Sequence, residues 1–295
     1  MVVSTPKQSQ IFSALITPMH ESGKLNLPAL KALVRHEIAH GVEGFYCCGS
    51  SGEGLLLDTS ERMAIVDTLS EEIGESVPFI VHTGSLSTNE AITLSKHAQH
   101  SGAQAVSLIP PIYYHYSEEE VQHYYEDVAN AVELGVIVYN IPQFTGISFS
   151  KKNPLMKNPK IVGIKHTSSN LYELERLSQA FPEKTLYNGF DEIWLYSMAA
   201  GATATIGTTV NICPKLYFEI RKAFLAGDMP KAQALQHTAN DFIETLVGQG
   251  IFPATKYCME LQGLEIGHCK KPFDTLTVEK KQIVKTALHK IEPYL

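Results

Sequence analysis

The chain has 295 residues, of which 44% are hydrophobic and 19% charged, so it can bury a large core and is not intrinsically disordered. Its net charge of -7 disfavours a basic, phosphate-tracking surface, and nucleic acid is not an expected partner. No apolar stretch approaches the ~20 residues of a membrane span. The polar segment 1–10 lacks the apolar core of a secretory signal. We therefore expect a cytoplasmic protein that binds neither membranes nor nucleic acid.

Eight short apolar runs with high β propensity follow one another along the chain, and helical stretches separate most of them. The runs are 12–17, 44–48, 79–82, 105–109, 136–139, 161–165, 185–187 and 202–206. Such alternation predicts parallel βα units, and eight units close a (β/α)8 barrel, the TIM barrel. The alternative is an open doubly wound sheet, but its GxGxxG fingerprint is absent after the first run. We predict an α/β protein with a TIM barrel.

Helix boundaries are marked by caps and glycines. The predicted N-terminal caps are Asp58 with Glu61, Ser87 with Glu90, Ser117 with Glu120, Asn170 with Glu173, and Asp228; the predicted ends are Gly41, Gly74, Gly102 and Gly135. After the eighth run the pattern is helical only. We predict the barrel strands and most helices in 1–212, and in 213–295 the last barrel helix and a helical extension packed on the barrel.

The five cysteines form no CxxC pair, and no His/Cys cluster has the spacing of zinc ligands. We therefore predict reduced, mostly buried cysteines, and we expect neither a metal nor another cofactor.

Lys165 is the most informative residue of the chain. It follows the apolar run 161–164, where a buried central strand of a parallel sheet should end. Partial desolvation there lowers the pKa of an ammonium group and frees the amine as a nucleophile toward carbonyls. An isolated lysine at a strand end more often extends into solvent. Its neighbours along the predicted rim favour Schiff-base chemistry instead.

Hydroxyl groups follow the second and eighth predicted strands, at the end of a barrel where catalytic groups lie. The GSSGE segment 49–53 predicts a tight turn in which Ser50, Ser51 and backbone N–H groups suit a bound carboxylate. Thr208 and Thr209 add two hydroxyls after the eighth strand. We expect these groups to share one rim with Lys165.

Tyrosines follow the fourth and fifth predicted strands. The segment 110–116 contains Tyr113 and Tyr114 in an aromatic cluster of the kind that packs or forms interfaces. Tyr139 ends the strand that precedes the Lys165 strand, which suits a role in proton transfer.

Two carboxylates, Asp191 and Glu192, follow Gly189 after the seventh predicted strand. Such a pair can cap the next helix and complement its dipole. If it points into the barrel mouth, it can instead accept hydrogen bonds from the hydroxyls of a polyol. The pattern is compatible with both interpretations.

Together these segments resemble the pyruvate-dependent class I aldolase family that contains N-acetylneuraminate lyase and dihydrodipicolinate synthase. The resemblance covers nearly the whole chain and rests on GSSGE, YNIP, GIKHT and GFDE segments in the family's order and spacing. It implies that Lys165 is the Schiff-base lysine, Tyr139 the proton donor and acceptor, and Ser50 and Ser51 the ligands of the pyruvoyl carboxylate.

The resemblance also implies a homotetramer. In this arrangement Tyr113 of a neighbouring protomer joins Ser50 and Tyr139 in a hydroxyl relay, with the adjacent Tyr114 as the alternative.

Two positions distinguish branches of the family. Dihydrodipicolinate synthases carry an arginine where this chain has Phe144, whereas the acidic pair after Gly189 is typical of sialic acid lyases. The resemblance thus implies reversible cleavage of N-acetylneuraminate to N-acetylmannosamine and pyruvate. The implied sugar-binding residues are Thr167, Gly189, Asp191, Glu192 and Thr208.

Three alternatives remain from the sequence. An aldolase or dehydratase for 2-keto-3-deoxy sugar acids would share the lysine and the tyrosine, as would an enzyme of the synthase type. A non-catalytic sensor of sialic acid or pyruvate is disfavoured because Lys165 and Tyr139 are both present.

Overall fold

Eight parallel strands close into a barrel in the computed structural model, which describes residues 9–74 and 76–295. The strands are β1 Gln10–Ala14, β2 Phe45–Cys47, β3 Phe79–His82, β4 Ala105–Leu108, β5 Gly135–Asn140, β6 Ile161–His166, β7 Thr185–Asn188 and β8 Ala204–Gly207. Each strand pairs with the next, and β8 pairs with β1. The predicted TIM barrel is confirmed. Residues 1–8 of the polar N-terminal segment lie outside the described residues.

Helices alternate with the strands and then continue alone to the C-terminus. They are α1 Leu27–Ala39, α2 Thr59–Ile73, α3 Thr88–His100, α4 Glu118–Ala131, α5 Pro142–Thr145, α6 Leu171–Ala180, α7 Trp194–Ala199, α8 Pro214–Leu225, α9 Met229–Gln249, α10 Ile251–Leu261 and α11 Val278–Lys290. The predicted C-terminal helices are therefore present. The division of the chain at residue 212 stays a prediction.

The predicted helix caps form with two exceptions. Asp58 and Ser117 make full capping boxes with Glu61 and Glu120, and the side chains of Asn170 and Asp228 accept cap hydrogen bonds. Gly41, Gly74 and Gly102 lie at the ends of α1, α2 and α3, each with a positive φ, as predicted.

Ser87 precedes α3, but its side chain accepts no cap hydrogen bond. The reciprocal half of the capping box is also absent, because the Glu90 carboxylate accepts from the hydroxyls of Thr59 and Ser85, and the N–H of Ser87 donates to Oγ of Ser85. Gly135 does not end α4. It begins β5, where a Cβ atom would lie 2.6 Å from the side chain of Val162.

Apolar side chains fill the barrel. The residues that pack in its interior include Phe12, Tyr46, Ile80, Ile137, Tyr139, Tyr187 and Ile206. A larger apolar core lies between the strands and the helices. Because side chains fill the interior, a small molecule must bind at one end of the barrel. The polar residues at the strand ends make the C-terminal rim the candidate binding site.

The cysteines are free, and four of the five are buried. Among the described residues, no helix has the length and apolar character needed to cross a membrane.

Candidate active site

Lys165 projects from β6 into the barrel beneath its C-terminal rim. Its side chain is buried, with 4% exposed, and its Nζ lies 4.1 Å from the ring centroids of both Tyr46 and Tyr139. Burial lowers the pKa of the Lys165 ammonium, and the nearby Tyr139 hydroxyl partly opposes that shift. The two ring faces stabilise the charged ammonium, whereas its burial away from water destabilises it. The result is an amine that loses its proton more readily than a surface lysine.

Tyr139 on β5 lies directly beside Lys165, and the two residues are partners in the strand register. Its hydroxyl oxygen lies 3.4 Å from Oγ of Ser50. Burial acts to raise the pKa of Tyr139, but the charge of Lys165 and the hydrogen bonds from Ser50 and Lys165 outweigh it, so the pKa is lowered. A phenol tuned in this direction can exchange a proton closer to neutral pH.

Tyr46 and His82 contact this pair, and neither residue carries a specific signal in the sequence. The Tyr46 hydroxyl donates to Oγ of Ser107 at 3.1 Å, and its ring meets the Tyr139 ring edge to face, with centroids 6.1 Å apart. The His82 ring makes a similar contact with Tyr139 at 5.9 Å. Burial holds the pKa of His82 well below its usual value, and the charge of Arg62 adds to the shift. His82 is therefore a neutral ring that fixes the position of the phenol.

The GSSGE segment forms a tight turn at the end of β2. Within it, the N–H of Glu53 donates to the carbonyl of Ser50 at 3.1 Å, and the N–H of Gly54 donates to that of Gly49 at 3.0 Å. The hydroxyls of Ser51 and Thr208 lie 2.6 Å apart, which joins the ends of β2 and β8. The structure thus brings together the hydroxyls that the sequence placed at separate strand ends.

Thr167 and Gly189 fit against each other at the ends of β6 and β7. A Cβ atom at position 189 would lie 1.8 Å from Oγ1 of Thr167, so any side chain there would displace the hydroxyl. The Thr167 hydroxyl is buried, helps to lower the pKa of Tyr139, and has no hydrogen bond of good geometry to any described residue. Gly189 therefore leaves room for a free hydroxyl beside the catalytic candidates.

Asp191 lies in a short turn at Asp191–Ile193 and reaches across to the end of β8. Its Oδ2 accepts from the N–H and the hydroxyl of Thr209, each at 2.7 Å, whereas its Oδ1 has no partner among the described residues. Burial raises the pKa of this carboxyl, against the opposing bonds from Thr209. The turn at Asp191–Ile193 and α7 both begin without a side-chain cap. Asp191 therefore does not cap the helix that follows it.

Glu192 is half-buried beside Asp191, and burial raises its pKa, with the charge of Asp191 adding to the shift. Gln236 of α9 donates to the backbone carbonyl of Asp191 at 3.0 Å and accepts from the N–H of Leu195 at 2.9 Å. This helix thus fixes the backbone that carries the acidic pair.

The remaining predicted residues lie outside this group within the single chain. Tyr113 is 86% exposed, has a φ of 83°, and stacks edge to face on the exposed Tyr114. Left-handed backbone is unusual for a bulky residue. Phe144, on the short helix α5, is 75% exposed.

Known proteins that are similar to this chain belong to the aldolase family that its sequence resembles. The model of the Dihydrodipicolinate synthetase family matches residues 7–291. The chain belongs to this family. It is 38% identical to N-acetylneuraminate lyase of Rhizobium meliloti over 268 residues, which cover 90% of each chain. It is 36% identical to N-acetylneuraminate lyase of Lactiplantibacillus plantarum over 272 residues, covering 91% of this chain and 93% of the relative.

Solved structures of the family superpose on nearly the whole chain. The Clostridium difficile protein CdNal, solved in complex with mannosamine, is 33% identical with a TM-score of 0.94, over 97% of this chain and 99% of that one. The sialic acid aldolase of Ruminococcus gnavus has 26% identity and the same TM-score of 0.94, over 98% of this chain and all of that one (100%).

Proposed function

We propose that this member of the family is an N-acetylneuraminate lyase, a carbon-carbon lyase that cleaves sialic acid reversibly to N-acetylmannosamine and pyruvate. The observation that carries the proposal is the desolvated amine of Lys165, held between the rings of Tyr46 and Tyr139. The lyases of R. meliloti and L. plantarum, similar over about nine-tenths of the chain, support the choice of substrate.

The reaction begins with attack of the Lys165 amine on the C2 ketone of the open-chain sugar. Water leaves, and the protonated imine becomes the electron sink. Tyr139 removes the C4 hydroxyl proton as the C3–C4 bond breaks, and the bonding electrons move into the imine to give an enamine. Protonation of the enamine at C3 and hydrolysis release pyruvate and restore Lys165. The lowered pKa values of Lys165 and Tyr139 suit both steps.

The rim hydroxyls would bind the substrate around this centre. Ser50 and Ser51 are proposed to hold the pyruvoyl carboxylate through their hydroxyls and the N–H groups of the turn. Thr167 would lie near the C4 hydroxyl, because its own hydroxyl is free beside Tyr139.

The polyol tail would lie along Gly189, Asp191, Glu192 and Thr208. The Oδ1 atom of Asp191 is a buried acceptor without a partner among the described residues, which suits a hydroxyl donor.

A homotetramer is the proposed assembly. The exposed, left-handed Tyr113 would enter the site of a neighbouring protomer and complete a relay with Ser50 and Tyr139. Its exposure in the single chain supports this role, because an aromatic side chain held outward in an unfavourable backbone conformation is suited to a contact between protomers.

The proposal is tested by trapping with pyruvate and borohydride, followed by mass spectrometry of the digested protein. We expect a stable adduct on Lys165, while the buried Lys184 and Lys256, which bind backbone carbonyls, stay unmodified. Lys165→Ala should abolish the adduct and the activity while the protein stays folded. An adduct on a different lysine, or no adduct, contradicts the assignment.

A panel of substrates then tests the choice of sugar. N-acetylneuraminate should be cleaved, and pyruvate should not condense with aspartate semialdehyde, because Phe144 offers no charge partner for a second carboxylate. Preference for a short 2-keto-3-deoxy acid without the polyol tail would contradict the proposed substrate while leaving the Schiff-base chemistry intact.

A further inference from the structure

A buried ion pair ties the GSSGE turn to the C-terminal helices. The side chain of Glu53 is 0% exposed, and its Oε1 lies 2.7 Å from Nζ of Lys256 on α10, whose side chain is 2% exposed. The second carboxylate oxygen of Glu53 accepts from the backbone N–H of Lys270. Lys256 also donates to the carbonyl of His268 at 2.8 Å. The two buried charges thus face each other as a close ion pair without a well-aligned hydrogen bond, and backbone groups supply the hydrogen bonds of each side chain.

The backbone of Glu53 belongs to the same turn as the two serines. Its φ of 58° is left-handed, which is unusual for glutamate, and its N–H closes the turn on the carbonyl of Ser50. The next residue is equally constrained, because a Cβ atom at position 54 would lie 1.8 Å from the carbonyl oxygen of Cys48. A side-chain anchor at Glu53 therefore fixes the part of the chain that carries Ser50 and Ser51.

A buried ion pair is a poor source of net stability, since its desolvation offsets its attraction, but it specifies one geometry. Here the ion pair specifies the position of the turn that carries the hydroxyls of Ser50 and Ser51. Ser50 touches Tyr139, and Ser51 touches Thr208, so a displaced turn would separate the carboxylate ligands from the reacting centre.

We infer that Glu53 and Lys256 are a positioning pair that holds Ser50 and Ser51 for the carboxylate of the 2-keto acid. The inference rests on the proposed function, and it makes α10 a functional part of the active site. Because both side chains are buried and paired with each other, we expect neither to touch the substrate. Their loss should weaken the binding of pyruvate more than it slows the chemical step at saturation.

The test compares steady-state kinetics in the condensation direction. The double variant Glu53→Gln/Lys256→Met leaves no unpaired buried charge. We expect it to raise the KM for pyruvate about 10- to 100-fold, within the range of loss that a misplacement of about 1 Å can cause. Its kcat at saturating pyruvate should stay within about threefold of wild type, because the reacting groups remain in place.

A second variant, Glu53→Asp, keeps the charge but withdraws it by one methylene. We expect it to fold and to raise the KM for pyruvate less than the double variant does. If the double variant fails to fold, the KM of Glu53→Asp for pyruvate tests the positioning role of Glu53 by itself.

Lys184→Met is the matched control, because Lys184 is also buried and also binds backbone carbonyls, yet it lies just before β7, at the opposite end of the barrel. It should lose stability without a change in the KM for pyruvate. A wild-type KM in a folded Glu53 variant, or a fall in kcat with KM unchanged, overturns the inference. Failure of wild type to form the borohydride adduct on Lys165 would instead overturn the proposed function.

Discussion

Tyr139 and Lys165 are neighbours across the β5–β6 pair, and the Lys165 ammonium lies 4.1 Å from the centroid of the Tyr139 ring. Each group changes the proton affinity of the other. The charge of Lys165 lowers the pKa of Tyr139, and Tyr139 limits the fall in the pKa of Lys165 that burial causes. Titration of the two groups therefore belongs to the pair, and a variant at one position will alter the other.

Replacing Tyr139 with phenylalanine should separate imine formation from cleavage. The variant keeps the ring over Lys165, so borohydride trapping with pyruvate should persist, but it loses the proton-transfer group. Cleavage of N-acetylneuraminate should fall about 10²- to 10⁴-fold, the usual contribution of a general acid or base. Tyr187→Phe is the matched control, since Tyr187 is the register partner of Lys165 on β7. Equal losses in both variants would contradict the role of Tyr139.

Tyr46 should tune the pH at which Lys165 becomes nucleophilic. A ring face over a desolvated ammonium stabilises the charged form, and Nζ of Lys165 lies 4.1 Å from the centroid of the Tyr46 ring. Tyr46→Leu should therefore lower the pKa of Lys165 further and move the ascending limb of the pH profile of imine formation to lower pH, because the neutral amine is the nucleophile. Tyr46→Phe, which keeps the ring, should leave that limb in place. The rate of trapping with pyruvate, followed against pH, measures both variants.

The barrel could be predicted because each strand is a short apolar run bounded by helical sequence, so the pattern itself carries the topology. Strand ends were less predictable, since they depend on distant groups. The sequence predicts the first strand over 12–17, but β1 ends at Ala14, and the N–H of Ile16 donates to the side chain of Asn211 at 3.2 Å. No local signal indicates a hydrogen-bond partner so far along the chain.

The contrast between local patterns and distant contacts also explains which site residues the sequence identifies. Lys165 and Tyr139 stand at strand ends, where the barrel topology assigns chemistry, so the sequence identifies them as candidates. Tyr46 is an ordinary residue within a strand, and its importance depends on facing Lys165 across the barrel. Lys256 lies on a helix far along the chain from Glu53, and only the fold brings the two charges together.

Glu192 should contribute to sugar binding without contributing much to the fold. Its carboxylate makes no hydrogen bond to any other described residue, whereas that of Asp191 accepts from two groups of Thr209. Glu192→Ala should weaken N-acetylneuraminate cleavage by about 1.5 to 3 kcal/mol, the range for hydrogen bonds to charged groups. Imine formation with pyruvate should not change. Wild-type cleavage by this variant would remove Glu192 from the sugar site.

Asp191 should behave differently, because its removal leaves the buried N–H of Thr209 without its acceptor and takes one of two partners from the Thr209 hydroxyl, which also contacts the hydroxyl of Tyr217. Asp191→Ala is expected to lower both sugar cleavage and the free energy of unfolding, with imine formation nearly unchanged in the folded protein. Urea unfolding together with pyruvate trapping separates the two effects. A variant as stable as wild type would show that the bonds to Thr209 are dispensable.

Glu37 should make the stability of the fold depend on pH. It lies on α1 with its carboxyl fully buried, and burial raises its pKa to about 8, with the Ser13 hydroxyl opposing the shift. In the unfolded chain its pKa returns to the ordinary value of 4.5. Between these values the folded protein keeps a proton that the unfolded chain releases, so the free energy of unfolding falls as pH rises and levels off above pH 8.

Glu37→Gln removes this titration and tests it directly. Near pH 4.5 the variant and wild type should have similar free energies of unfolding. The difference in favour of the variant should then grow by roughly 1.4 kcal/mol per pH unit until about pH 8. Glu244→Gln, at an exposed position on α9, is the matched control and should show no such growth. Urea unfolding from pH 5 to 9 measures all three proteins, and a constant difference between Glu37→Gln and wild type would show that Glu37 titrates alike in both states.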